Sequence, residues 1–144
     1  MSLQDKPENF DPKFEVVSCF VEYQEEILLL LRQDHKPQPN TWGVPAGKVD
    51  EGETIYKAMK REGDQETKID LWDAKYIETL FVRYPEYDFI YHMFSKKFEK
   101  KPPVTINTQE HKEYMRKNRK EALKMDLIQG LDECITMTYP DTRR

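Results

Sequence analysis

Residues Trp42–Glu66 constrain this chain more than any other stretch. They read Trp-Gly-Val-Pro-Ala-Gly-Lys-Val-Asp-Glu-Gly-Glu-Thr, then Ile-Tyr-Lys-Ala-Met-Lys-Arg-Glu-Gly-Asp-Gln-Glu, a glycine-rich loop running into an amphipathic helix. Wound at about 100° per residue from Ile55, the residues Ala58, Met59, Glu62 and Glu66 fall within a sector of roughly 100°. The apolar stripe that should face a core therefore continues into two carboxylates one turn apart. Unpaired acids in such a stripe cost several kcal/mol or shift their pKa until they neutralise. A cation, a base role or an arginine partner would explain their presence.

The same stretch resembles the signature of the Nudix hydrolases, G-x5-E-x7-R-E-U-x-E-E-x-G-U with U aliphatic. Gly47, Glu53, Arg61, Glu62, Glu66 and Ile69 fall in register, and Trp42–Gly47 is similar to the W-G-x-P-x-G lead-in common in that family. Three positions depart: Gly63 replaces the aliphatic residue, Gln65 the first acid of the pair, and Lys68 the final glycine. Gly63 costs a mid-helix position about 1 kcal/mol in propensity. Gly63→Leu is expected to restore stability if space exists, and to overpack if neighbours already fill it. Lys68 costs roughly another 1 kcal/mol if the helix ends in a left-handed turn there.

The resemblance implies roles. Glu62 and Glu66 would be metal ligands, one of them also orienting or deprotonating a water, with Gly47 and Gln65 completing the candidate metal set. Gln65 offers a carbonyl oxygen but no negative charge. Glu53 and Arg61 would pair across the loop–helix junction and orient the acids. Gln109–Tyr114 is similar to a later E-H-x-E-[FY] segment of the family, so Glu110 would reach the attacking water and Glu113 the metal. Each role has a plainer counterpart: a solvated helix face for Glu62 and Glu66, surface charges for Glu53 and Arg61, an exposed acidic loop for Glu110 and Glu113. His111 reads first as an exposed or structurally bonded histidine, and Met115–Lys120 as a solvated turn in which an expected strand has lost its apolar residues.

At 144 residues the chain has the size of one domain, with residues 1–12 and 140–144 expected as flexible tails. A net charge of −4 gives no general attraction to nucleic acid or an anionic membrane, so a phosphate-bearing ligand must be held locally. Two isolated cysteines, Cys19 and Cys134, lack metal-ligand spacing and read as buried free thiols. The longest uniform apolar run, Ile27–Leu31, is far shorter than a membrane span, and the polar leader has no hydrophobic signal core, so the cytoplasm is the expected location.

Phe14–Tyr23 and Glu26–Arg32 read as strands of a hairpin turning at Tyr23-Gln24-Glu25, followed by a loop over Gln33–Thr41. Thr54 is an N-cap for a helix reaching Thr67. Leu71–Arg83 and Tyr87–Phe98 read as aromatic strands joined at Pro85-Glu86, Val104–Ile106 as a short extended piece, and Arg119–Met125 and Leu131–Thr138 as helices. The pattern is α+β with a mixed sheet between helices, and the resemblance implies the same architecture, a Nudix-like α/β/α sandwich.

The expected function is that of a metal-dependent pyrophosphohydrolase acting on a nucleoside diphosphate derivative or nucleoside triphosphate, with Mg²⁺ as cofactor and Mn²⁺ as the second choice. The alternative is a catalytically weakened Nudix-fold module that binds nucleotide. The partner is a small nucleotide-like molecule, with neither nucleic acid nor membrane, and a homodimer is the candidate assembly. Trp42, Tyr76, Tyr84, Tyr87, Phe89, Tyr91 and Phe94 are all open as residues that stack on a base.

Overall fold

The computed structural model describes residues 2–143. Its strands are β1 (Ser2–Leu3), β2 (Pro12–Tyr23), β3 (Glu26–Arg32), β4 (Trp42–Gly43), β5 (Ala46–Lys48), β6 (Lys75–Arg83), β7 (Asp88–Phe98) and β8 (His111–Asn118). Three helices accompany them: α1 (Ile55–Thr67), α2 (Arg119–Ala122) and α3 (Leu131–Thr138), with a closing 3-10 turn over Pro140–Arg143. The strands run in the order β1-β6-β7-β2-β3-β4, with β5 on β2 and β8 on β3. β2 and β7 pair in parallel, whereas the other pairings are antiparallel, so the sheet is mixed.

Alternation along β2 and β3 builds two cores. Val17, Cys19, Val21, Leu28 and Leu30 pack with Ala58 and Met59 of α1. Phe20, Ile27 and Leu29 pack with Ala122, Leu131, Cys134 and Ile135 on the opposite face. The result is the expected α/β/α sandwich. Cys19 and Cys134 are free and buried. Burial pushes both thiols up, Cys134 to about 12, so they act as core atoms and not as nucleophiles.

The β2–β3 turn forms without glycine, Gln24 and Glu25 both taking positive φ of 48° and 67°. That primed geometry matches the twist of the flanking strands. Thr54 caps α1, its hydroxyl accepting from the Lys57 N–H at 3.1 Å. The helix ends on Lys68 in a left-handed conformation, φ 61° and ψ 20°. The strained ending expected for a lysine at that position is therefore present.

Gly63 is a different matter. A Cβ there would stand 2.8 Å from the Ile69 carbonyl oxygen and 2.8 Å from Leu71 Cγ. Leu71, fully buried, occupies the space that a side chain at position 63 would need. The gain expected for Gly63→Leu is thus corrected to overpacking. The same detail explains why Leu71–Ala74 is a turn and not the start of a strand. Leu71 folds back onto the helix, Asp70 accepts from the Trp72 N–H at 3.0 Å, and the Ala74 N–H bonds the Leu71 carbonyl at 3.1 Å.

One further expectation changes: Met115–Asn118 is part of a strand instead of a solvated turn. β8 pairs along β3 from Glu26↔Asn118 to Arg32↔His111 and has no strand on its far side among the described residues. Lysines and arginines suit such an edge: they bury aliphatic stems and discourage further pairing. The terminal segments are partly tied down, β1 pairing with Phe81 and Val82 of β6 and Thr142 buried with its hydroxyl on the Tyr139 carbonyl. Met1 and Arg144 lie outside the described residues.

Candidate active site

The loop from β5 to α1 is organised around Arg61. Its Nε and one Nη donate to the two carboxylate oxygens of Glu53 at 2.8 and 2.9 Å. The same Nη also donates to the Lys48 carbonyl at 2.8 Å, while the other reaches Glu62 at 2.7 Å and Gln65 at 3.2 Å. Glu53 in turn accepts from the Asp50 N–H at 2.9 Å. The fork of donors matches a carboxylate in geometry as well as charge. The guanidinium holds the Glu53 carboxyl down at about 2. Arg61 and Glu53 thus lash the loop to the helix.

Glu62 and Glu66 then project from α1 on one side, 12% and 11% exposed at their side chains. Burial is the main influence raising the Glu62 carboxyl above its ordinary range; Arg61 opposes this and Glu66 adds to it. Gly47 makes the arrangement sterically feasible, because a Cβ on it would stand 2.1 Å from Glu62 Cδ. His111 is buried, not exposed, and its Nδ1 lies 3.4 Å from Glu66 Oε2 without forming a hydrogen bond.

These residues line one side of a cleft of about 800 Å³. Gly47, Glu62, Gln65, Glu66 and Glu110 all face it, as do Phe14, Tyr84, Tyr87, Phe89 and Tyr91 from the sheet. The structure therefore selects among the candidate aromatics. Phe94 is buried under α1, Tyr76 is exposed at the rim of that helix-covered face, and Trp42 packs against the core beneath α3. Glu113 is not brought to the site: it lies on β8 opposite Leu31 of β3, is exposed, and does not line the cleft. Glu110 lines the cleft but is held by Lys36 at 2.5 Å, which keeps its carboxyl below the usual range.

Sequence reasoning missed the basic groups of the cleft, Arg32, Lys36 and Lys48, and the aromatic Phe14. Lys48 Nζ sits 4.4 Å from the centre of the Phe14 ring. Lys48 follows Gly47 directly, so its place was available from the loop; Lys36 sits in a proline-rich loop that carries no local signal.

The donor set suits a hard divalent cation. Magnesium takes oxygen ligands and commonly uses one or two protein carboxylates, completing its shell with phosphates and water. Two carboxylates and the Gly47 backbone at a half-buried site meet that requirement. The raised Glu62 carboxyl, next to Glu66, is an electrostatic arrangement that a cation relieves. No cluster of three or more His, Cys, Asp or Glu suited to a metal occurs among the described residues.

The model of the NUDIX domain matches residues 12–135. No curated protein sequence matches the chain. Among solved structures, a MutT protein from Methanosarcina mazei is 21% identical with a TM-score of 0.78, covering 92% of this chain and 97% of its own. The dihydroneopterin triphosphate pyrophosphohydrolase of E. coli is 19% identical with a TM-score of 0.73, over 92% of this chain and 99% of its own. The NUDIX domain of Shewanella oneidensis NrtR, complexed with ADP ribose, is 17% identical with a TM-score of 0.78, over 95% and 93%.

Proposed function

The chain belongs to the Nudix hydrolase family, and from that premise we propose that it is a metal-dependent pyrophosphohydrolase cleaving the diphosphate of a nucleoside diphosphate derivative or nucleoside triphosphate. The observation that carries this reading is the pairing of Glu62 and Glu66 beside Gly47, at the side of a cleft whose sheet wall is aromatic. Acids and rings lining one cleft suit a ligand with a phosphate chain and a flat base.

In this reading Glu62 and Glu66 hold Mg²⁺, or Mn²⁺ in its place, with the Gly47 carbonyl and the Gln65 side-chain oxygen as further donors. A bound divalent cation would neutralise charge on the departing phosphate. Arg61 and Glu53 act as positioning residues, fixing where the Glu62 carboxylate points. Tyr87, the exposed ring of the cleft, is the surface offered to a base. Glu110 supplies a further carboxylate of the cleft to orient a water. The reading places the protein in the cytoplasm, where the reduced thiols Cys19 and Cys134 are stable; no described helix is long and apolar enough to cross a membrane.

The second reading, a nucleotide-binding module of weakened activity, is favoured by Gln65, a neutral group held by Arg61 where the family signature has an acid. A screen of nucleoside diphosphate derivatives with Mg²⁺ and with Mn²⁺ separates the two. Release of a nucleoside monophosphate that is abolished by chelation and restored by millimolar magnesium supports the hydrolase. Binding of the same compounds without turnover supports the module.

A further inference from the structure

Lys36 and Glu110 face each other from two different loops, one following β3 and the other preceding β8. Their ion pair, Nζ to Oε2, spans 2.5 Å, with the side chains 29% and 38% exposed. Both line the cleft that holds Glu62 and Glu66. The surrounding backbone is fixed independently of them. The Gln33 N–H donates to the Glu110 carbonyl at 3.0 Å, Gln33 Nε2 to the Thr108 carbonyl at 2.8 Å, and Arg32 Nε to the Pro37 carbonyl at 2.7 Å. The loops therefore do not need the Lys36–Glu110 contact to stay together.

A partly exposed pair of this kind is worth little in stability. A phosphate offers a lysine a competing anion of higher charge and charge-assisted hydrogen bonds. We propose that Lys36 is an exchangeable cation: it neutralises Glu110 in the free protein and transfers to the phosphate chain of the ligand, leaving Glu110 as an unpaired acceptor in the occupied cleft. The proposal rests on the nucleotide reading above and adds a residue of the same cleft that recognises the anion. Ligand entry and the unmasking of Glu110 then become one event.

The two roles separate in a double-mutant cycle read by binding, not turnover. The probe is α,β-methylene ADP, whose bridging carbon resists hydrolysis, titrated calorimetrically in magnesium. Glu110→Gln should tighten binding about fivefold, because Lys36 no longer has to leave an anionic partner. Lys36→Met should weaken it about fivefold or more. The Lys36→Met, Glu110→Gln double variant should bind like Lys36→Met alone, and thermal melts should place all four proteins close together.

Tightening by Glu110→Gln that persists without Lys36 would mean simple repulsion between Glu110 and phosphate, and would overturn the exchange. Unchanged binding in both single variants would reduce the pair to a surface contact and overturn it as well. Failure of the wild-type chain to bind the probe overturns the exchange together with the nucleotide reading. Binding that follows the cycle, without turnover of any nucleoside diphosphate derivative, retires the hydrolase reading alone.

Discussion

Gly47 and Glu62 share one space: a Cβ on Gly47 would stand 2.1 Å from Glu62 Cδ and 2.2 and 2.4 Å from the two carboxylate oxygens. The glycine is required here by close approach, not by an unusual φ. A carboxylate is the far end of a flexible side chain, so it would swing aside and leave the backbone in place. Gly47→Ala should therefore fold with nearly unchanged stability while the acid is displaced by an ångström or more. A misplacement of that size costs about 10²-fold in turnover. Undiminished kcat in Gly47→Ala, with a normal thermal melt, would remove the position of Glu62 from the catalytic account.

Gly63 makes the opposite case, because its neighbours include backbone. The Ile69 carbonyl oxygen and Leu71 Cγ would each lie 2.8 Å from an added Cβ. Gly63→Leu should lose about 1–3 kcal/mol to overpacking, despite the better helix propensity of leucine. Gly63→Ala should already be destabilised. Denaturant midpoints of the two variants at or above that of the parent would show that Leu71 yields its place freely.

Lys68 holds φ at 61° as it closes α1, its N–H bonding the Asp64 carbonyl at 3.3 Å. A Cβ resists that geometry, and glycine does not. Lys68→Gly should stabilise the protein by about 1 kcal/mol, or roughly 4 °C in Tm. No rise in Tm would mean that Lys68 makes a compensating interaction.

How much of this was legible in the sequence follows from the range of the forces involved. The helix, its Thr54 cap and the Glu62–Glu66 stripe depend on residues within a turn or two of one another, and the periodicity displays them. β8 depends instead on the backbone of β3, its paired residues lying 79 to 92 positions apart in sequence. Its basic residues hide the strand because an edge tolerates them. Likewise, the role of Gly63 is decided by Leu71, which the sequence presents as the start of an aromatic strand. The Lys36–Glu110 pair joins residues 74 apart, and no local pattern announces it.

Glu53 gives a pH test. Hydrogen bonding from Arg61 holds its carboxyl at about 2 in the folded chain, against an ordinary value of 4.5. A carboxylate with a depressed folded pKa contributes stability that is fully present above the ordinary value and lost as pH falls toward the folded one. Unfolding free energy should thus decline between roughly pH 5 and pH 2, and Glu53→Gln should flatten part of that decline. Parallel pH profiles for parent and variant would show that the Arg61–Glu53 pair does not stabilise the fold.

Gln65 tests whether the site lacks an acid. It lies on α1 between Glu62 and Glu66, its side-chain oxygen accepting from Arg61 at 3.2 Å, and it faces the same cleft. Gln65→Glu adds negative charge where magnesium must be drawn from water. It also gives Arg61 a further carboxylate beside those of Glu53 and Glu62, which loosens its hold on Glu62 and frees that oxygen for the cation. Both effects favour metal binding. Turnover at limiting magnesium should rise about tenfold, for about 1.4 kcal/mol of recovered interaction. The gain should shrink at saturating magnesium, since metal occupancy is what the substitution improves. Without metal, three neighbouring carboxylates repel, so the apo protein should melt lower than its parent and regain the difference on adding magnesium. Magnesium titrations of activity and of Tm on both proteins decide the matter. Equal metal affinity and equal turnover would place position 65 outside the site.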